Sequence, residues 1–507
     1  MERFLTVPQM SKCEQRSDKS GVSLASLMDN AAQGLFYETI KAAHRLSQDR
    51  HTSVTNILII AGKGNNGGDG LVCAGLLKDA GFNVLVYLSQ GQPATELSKA
   101  AYRRLNRELL TDDITSALES CEILIDCIFG TGFKGNIRED AVPLFEKINK
   151  SPAYRIACDI PSGCDADSGL CDIHAISADM TVTFHRKKVG MAFTPTREKC
   201  GGIIVCDIGI TAKCEQDGFE VIKPDESEII SLLPHRPVYG HKGTFGRLMC
   251  ICASERYIGA GQLSVTAAMR TGVGLTTLIA PEKVVGIIAG STPECTYLPL
   301  KANTDGTLRA DDTGVILESI KKADAVLIGC GLTVNDDTRQ IVREVIQGAA
   351  CPLVIDADGL NCIAGDTDIL KQAKAPVILT PHTGELARLS GKDLGVAAKD
   401  RLGLSRELAK RTGAMVVAKS AGTLIVSTDR AVISTYGNTA LSKGGSGDML
   451  AGMTASFLAQ GVSPEGSAEL GCYVLGRSAE IAAQELGERS VIARDILSYI
   501  PGVLRNL

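Results

Sequence analysis

Tryptophan is absent from the 507 residues, and all aromatics together make up only 4% of them. So few ring faces argue against a platform on which successive bases stack. An excess of one charge is also missing: 53 basic against 58 acidic residues leave a net charge of −5, with no block of like sign. Neither a nucleic acid nor a membrane surface is therefore expected as a partner. No apolar run approaches the ~18 residues that span a bilayer, and the first residues lack a signal-peptide core. The 17 cysteines are odd in number, are never spaced Cys-x-x-Cys, and mostly lie in apolar runs such as Cys250-Ile251-Cys252. That pattern predicts reduced core thiols in a soluble, cytoplasmic protein, with neither a disulfide frame nor a zinc site. A Gly-x-x-x-x-Gly-Lys-Ser/Thr loop is lacking too, so a nucleotide site here is not of the Walker kind.

What the chain has in quantity is glycine, 53 residues of it, within a 44% apolar sequence long enough for two to four domains. Apolar strand-like runs alternate with helical periodicity on either side of a charged, proline-broken stretch that includes Pro234-His-Arg-Pro237. This predicts an α/β chain of two domains, 1–220 and 221–507, each with a parallel sheet covered on both faces. Residues 424–434 read as a hairpin.

The strongest local signal is Lys443-Gly-Gly-Ser-Gly-Asp448, followed by a helical apolar pattern. Glycines opening a helix bare several N–H groups at the positive end of its dipole, a seat for a transferring phosphoryl group. Asp448, predicted as the first helical residue, stands where it can draw a proton from a hydroxyl. Lys419-Ser-Ala-Gly-Thr423 forms a second small-residue loop suited to nucleotide phosphates. Asp356-Ala-Asp358 offers carboxylates for Mg²⁺ at another strand end, and Thr380-Pro-His382 follows the next. In the first half, Gly62-Lys-Gly-Asn-Asn-Gly-Gly-Asp-Gly70 contains Gly-x-Gly-x-x-Gly, but the following strand ends Tyr87-Leu-Ser-Gln90 without the ribose-binding carboxylate of a dinucleotide site. An anion-binding loop remains. Asn66, Asp126, Asp159 and Ser162 converge at strand ends with oxygens fit for a hard cation.

Taken together, Asn65-Asn-Gly-Gly-Asp69, Asp159-Ile-Pro-Ser-Gly163, Thr380-Pro-His-Thr-Gly-Glu385 and Gly444-Gly-Ser-Gly-Asp448, in that order, resemble the bifunctional NAD(P)H-hydrate repair enzymes along nearly the whole chain. The resemblance implies a Rossmann-like three-layer sandwich carrying an epimerase, fused to a ribokinase-like ADP- or ATP-dependent dehydratase. It implies substrate binding by Asn65, Asn66, Gly67, Gly68, Asp69, Gly130, Thr131, Gly132, Phe133, Lys134, Gly135, Asn136 and Asp159, with Asp159 catalytic and Lys188 nearby. K⁺ is expected on Asn66, Asp126 and Ser162. In the second half it implies substrate contacts from Ala260, Gly331, His382 and the catalytic Asp448, and an adenine nucleotide on Lys419, Ser420, Ala421, Gly422, Thr423 and Gly447. The expected substrates are NADHX and NADPHX, and a homo-oligomer is expected. One departure from the family pattern is Asp29, where Glu is usual.

Overall fold

The computed structural model describes residues 1–216 and 218–505, which divide into two compact units, Arg3–Glu220 and Val221–Leu507 with Met1–Glu2. In the first unit six strands form one sheet: β1 (Asn56–Ala61), β2 (Asn83–Leu88), β3 (Ile123–Cys127), β4 (Tyr154–Cys158), β5 (Met180–Phe184) and β6 (Gly202–Cys206). They lie in the order β2-β1-β3-β4-β5-β6, every pair parallel. Side chains alternate across β1. Ile57, Ile59 and Ala61 enter the core beneath the helices Leu24–Arg50 and Asn65–Asp79, while Leu58 and Ile60 meet Phe145 and Ile148 on the other face. A strand buried on both sides reads as an unbroken apolar run, which is why it was legible as a strand without alternation. The result is the expected three-layer sandwich.

The second unit carries β7 (Arg247–Ile251), β8 (Leu275–Pro281), β9 (Thr296–Leu300), β10 (Ala325–Ile328), β11 (Leu353–Ile355), β12 (Val377–Leu379), β13 (Met415–Ala418), β14 (Thr423–Val426) and β15 (Arg430–Ser434). Their order is β9-β8-β7-β10-β11-β12-β13-β14-β15, parallel as far as β13. The expected hairpin, β14–β15, completes it with antiparallel pairs. Strand β9 went unforeseen because Pro299 interrupts it, yet at a sheet edge the missing N–H costs no ladder bond. No helix among the described residues is long and apolar enough to cross a membrane.

Three further expectations are corrected. The spacing of Leu24, Leu27, Met28, Ala31, Leu35 and Ile40 predicts helix from Met1 to about Arg50, whereas Glu2–Leu5 is a strand pairing with Lys187–Lys188, and the helices Val7–Lys19 and Leu24–Arg50 are parted at Gly21 (φ +106°). Cys164 and Cys171 form a disulfide, whereas the other fifteen cysteines are free. The helix expected from Asp448 spans Ser446–Ala459, because Gly445 takes a left-handed φ of 98° and caps it. Asp448 is thus its third residue.

That helix is enclosed from Met449 to Ala459 and crosses the helix Ile258–Arg270 at close range. A Cβ on Gly452 would stand 2.2 Å from the Ser264 carbonyl oxygen, so only glycine permits the approach. Gly452→Val should destabilise the second unit by about 1–3 kcal/mol or more, read as a lowered thermal midpoint.

Candidate active sites

Six non-glycine residues among those described have positive φ. His51 merely ends a helix; the other five follow strands. They are Asp159 (65°) and His185 (62°) in the first unit, and Ala253 (72°), Thr333 (66°) and Ala357 (49°) in the second. Backbone strain is thereby concentrated at the carboxyl edges of the two sheets, where open α/β sheets bind ligands.

In the first unit the adjacent strands β1, β3 and β4 bring the predicted oxygens together. Asp126 Oδ1 accepts from Ser162 Oγ (2.6 Å) and the Ile128 amide (3.1 Å), and Oδ2 accepts from the Ser162 amide (2.8 Å). The Phe129 carbonyl accepts from Asn66 Nδ2 (3.1 Å) and lies 3.2 Å from Ser162 Oγ, so Asn66 and Ser162 meet at one backbone oxygen while Asp126 is tied to Ser162. Burial pushes the Asp126 carboxyl up to about 6, against the pull of its Ser162 bonds. The set is all hard oxygen, which fits an alkali or alkaline-earth cation.

Beside it, Asp159 Oδ1 accepts from Thr183 Oγ1 (2.9 Å) and is ion-paired with Lys188. The Lys188 ammonium is wholly buried and also donates to Thr183 Oγ1 (3.0 Å) and the Phe184 carbonyl (3.1 Å). Burial raises the Asp69 carboxyl well above the usual range, and the charges of Asp159 and Glu14 raise it further. Three carboxyls thus surround one ammonium, an arrangement that can keep one of them protonated and another ionised near neutral pH. Glu14, on the helix Val7–Lys19, was missed in the sequence because nothing local links it to the glycine loop. Burial, then Asp159, raises its carboxyl too.

Of the predicted binding loop, Asn65 accepts from Thr95 Oγ1 (2.6 Å), and Phe133 lies 5.1 Å from the Phe129 ring. Gly67 and Gly68 are closed in: a Cβ on Gly67 would meet the Gly62 carbonyl at 1.9 Å, and one on Gly68 the Met28 side chain at 2.7 Å. Lys134 binds Asp165 (2.8 Å) and Asp167 (3.2 Å), while Thr131, Gly132, Gly135 and Asn136 lie on the exposed or half-exposed part of the turn after Gly130. Asp29 sits half exposed and ion-paired with Arg104 (3.1 Å).

In the second unit Asp448 projects from the first turn of a helix whose N-cap, Gly445, supplies no side-chain bond. The opening amides there are left for an anion. Asp448 is pushed up to about 6, by burial first and by Asp356 next, with Cys330 and Lys419 opposing. Asp356 is 1% exposed; its Oδ1 takes Lys419 Nζ (2.7 Å) and Thr380 Oγ1 (2.7 Å). A Cβ on Gly447 would meet Lys419 Nζ at 3.1 Å, which places the glycine loop against the lysine. Ser420 and Thr423 close their turn on each other, with Ala421 and Gly422 (φ 81°) between them; the Gly422 carbonyl accepts from Arg401. Asp358 is spent elsewhere, accepting from the Thr333 amide (2.8 Å), which leaves Asp356 as the better-placed carboxylate for a metal.

His382 caps the helix Thr383–Ser390: its Nδ1 accepts from the Gly384 amide (3.0 Å), so the ring proton is assigned to Nε2. Burial, then Lys419 and Arg388, lower its basicity, keeping it a neutral donor. Burial pushes its capping partner Glu385 up to about 7. Gly331 (φ 69°) and Ala260 touch, since a Cβ on the former would meet the latter's at 2.8 Å. Predicted substrate and nucleotide residues thus gather at the ends of β7, β10, β11, β12 and β13. Cys330 stands among them, unnoticed in the sequence because a lone thiol after a strand carries no signal.

Fold and geometry together define a two-unit α/β protein with a buried carboxylate–ammonium pair at the carboxyl edge of each sheet, the second beside a helix start that no side chain caps. Residues 24–190 match the family described as YjeF-related protein N-terminus, and residues 248–502 match NAD(P)H-hydrate dehydratase. The bifunctional NAD(P)H-hydrate repair enzyme Nnr of Moorella thermoacetica is 37% identical over 466 residues, 89% of this chain and 88% of its own length. The Nnr of Thermofilum pendens is 31% identical over 504 residues, 97% of this chain and 94% of its own. A solved ribokinase-like superfamily protein from Enterococcus faecalis superposes with a TM-score of 0.50 at 25% identity, covering 57% of this chain and 96% of that one. The chain belongs to the bifunctional NAD(P)H-hydrate repair enzyme family.

Proposed function

We propose that this protein repairs hydrated nicotinamide cofactors in two steps: residues 1–220 interconvert the R and S forms of NAD(P)HX, and residues 221–507 dehydrate the S form to NAD(P)H. The observation that carries the reading is the Asp448 carboxylate in the first turn of a helix without a side-chain cap, facing the Asp356–Lys419 pair. Hydroxide is a poor leaving group, so the C6 hydroxyl of the hydrated ring is first phosphorylated by ADP, giving AMP, or by ATP. Asp448 accepts the hydroxyl proton; the amides of Ser446 and Gly447 and the Lys419 ammonium hold the phosphoryl charge. Phosphate then leaves as the ring nitrogen lone pair restores the reduced nicotinamide. Lys419 to Thr423 with Gly447 embrace the nucleotide, and Ala260, Gly331 and His382 the hydrated ring.

Asp356 would hold Mg²⁺, which would supply charge neutralisation on the phosphates. In the first unit Asp159, oriented by Lys188 and Thr183, exchanges the proton that lets C6 invert, within a pocket walled by Asn65–Asp69 and Gly130–Asn136. Asn66, Asp126 and Ser162 would hold K⁺, whose charge would help fix those strand ends. The enzyme acts in the cytoplasm as a homo-oligomer.

Purified protein given mixed NADHX epimers should regenerate the absorbance of reduced nicotinamide only with ADP or ATP, and release free phosphate. A stable phosphoester in place of phosphate would make it a small-molecule kinase. Because the Asp448 carboxyl is pushed up to about 6, it is ionised above that pH and protonated below. kcat/KM for dehydration should therefore fall as pH drops through about 6, measured with the S form alone.

A further inference from the structure

The Gly329-Cys330-Gly331 turn after β10 has both glycines at positive φ, 127° and 69°. A Cβ on Gly329 would meet the Asp356 carbonyl at 2.0 Å, and one on Gly331 the Tyr257 side chain at 2.9 Å, so the backbone at both ends of Cys330 is packed without slack. Its thiol is fully buried and stands 3.7 Å from Asp356 Oδ2. One oxygen of Asp356 is engaged by Lys419 and Thr380; the other meets only that sulfur among the described residues. The Cys330 sulfur and one oxygen each of Asp356 and Asp448 all lie within 4.8 Å of one another. The equally buried, free thiol of Cys252 is hydrogen-bonded to it.

We infer that Cys330, Asp356 and Asp448 form a site for a thiophilic divalent cation of the zinc class, whose occupancy shuts the dehydratase. A sulfur among carboxylates turns a set that would otherwise suit magnesium toward zinc, cadmium or cobalt. Ligand bonds of about 2.0–2.3 Å bring three atoms so spaced onto one ion with small inward shifts. Binding breaks the Cys330 S–H bond, forms a sulfur–metal bond and releases the proton to solvent. No electron is transferred. The charges then close: two carboxylates and a thiolate against the ion and the Lys419 ammonium. Asp448, the one of the three that is not fully buried, gives the ion its way in and is consumed by it. The proposal departs from the expectation, drawn from cysteine spacing, of no zinc site. Spacing in sequence cannot register ligands delivered by separate strands and a helix.

Titrating the full chain with Cd²⁺, without nucleotide or Mg²⁺, should develop the ultraviolet thiolate-to-cadmium band. Cys330→Ser should remove that component and weaken binding by at least about tenfold, Asp448→Asn should weaken it too, and Cys351→Ser should leave it unchanged. Should Cys330→Ser fold poorly by circular dichroism, the parent chain answers the same question: in denaturant below the unfolding transition, where the buried thiol is reached by local opening, Zn²⁺ should slow alkylation of Cys330, read by peptide mass spectrometry. A band of full size in Cys330→Ser, or alkylation of Cys330 undiminished by Zn²⁺, overturns the site. The loss of dehydration rests on the role proposed for Asp448; Zn²⁺ bound with dehydration intact refutes the shut-off, and with it that role, while leaving the site itself standing. Epimerisation should continue throughout.

Discussion

Asp448→Asn should lower kcat for dehydration by about 10²–10⁴-fold, with little change in KM. The amide keeps the shape and the hydrogen-bonding reach of the side chain but cannot take a proton from the ring hydroxyl. Stability should move the other way. The native carboxyl has its pKa raised to about 6 by burial, so its contribution to folding is fully present below the ordinary aspartate value and is lost as pH rises through about 6. At neutral pH the charged aspartate therefore weighs on the second unit, and the asparagine variant should unfold at a temperature no lower than the parent. An inactive variant that also unfolds early would point to a structural role. A variant of undiminished rate would remove the dehydratase assignment altogether.

Asp159→Asn should reduce epimerisation by about 10²–10⁴-fold while dehydration of the S form proceeds at its normal rate. Mixed hydrates would then be consumed until the S form is exhausted, and the R form would persist. The left-handed backbone at position 159 suits asparagine as well as aspartate, so the loop itself should hold. The cost lies in the ammonium. Lys188 is entirely buried against this carboxylate, and stranding a buried charge costs about 3–5 kcal/mol. The double variant Asp159→Asn with Lys188→Met should recover most of the lost stability and none of the activity. Recovery of both would mean that the pair serves folding alone.

Both of these aspartates could be picked from the sequence, for a common reason. Asp159 follows an apolar run and leads into Pro161-Ser-Gly163, while Asp448 follows Gly444-Gly-Ser-Gly447 and leads into an apolar helical pattern; such punctuation fixes a side chain at a strand end or helix start whatever the rest of the chain does. The strands were legible on the same ground, since Ile57 to Ala61 and Ala325 to Ile328 are apolar at every position. What could not be read depends on contacts between distant segments. Glu14 reaches the Asp69–Asp159 group from a helix that looks merely amphipathic. Asp356, read as one of a carboxylate pair, turns out to hold Lys419 while Asp358 steadies a loop amide. The start of the helix at Ser446 rather than Asp448 was hidden because several successive glycines offer more than one residue able to take positive φ, and packing against the distant Leu263 and Ala493 singles out Gly445.

The enclosure of Met449 to Ala459 has a kinetic corollary. A helix with no face to water cannot swing, so the phosphoryl seat stays where the fold puts it, and any closing over substrate falls to its exposed neighbours, the Ser420–Gly422 turn and Gly444. Amide protons of the enclosed turns should then exchange with deuterium only through global opening, while those of the two turns exchange within seconds and slow when nucleotide binds. The rigid half of the pocket and its yielding half would be separable on a clock.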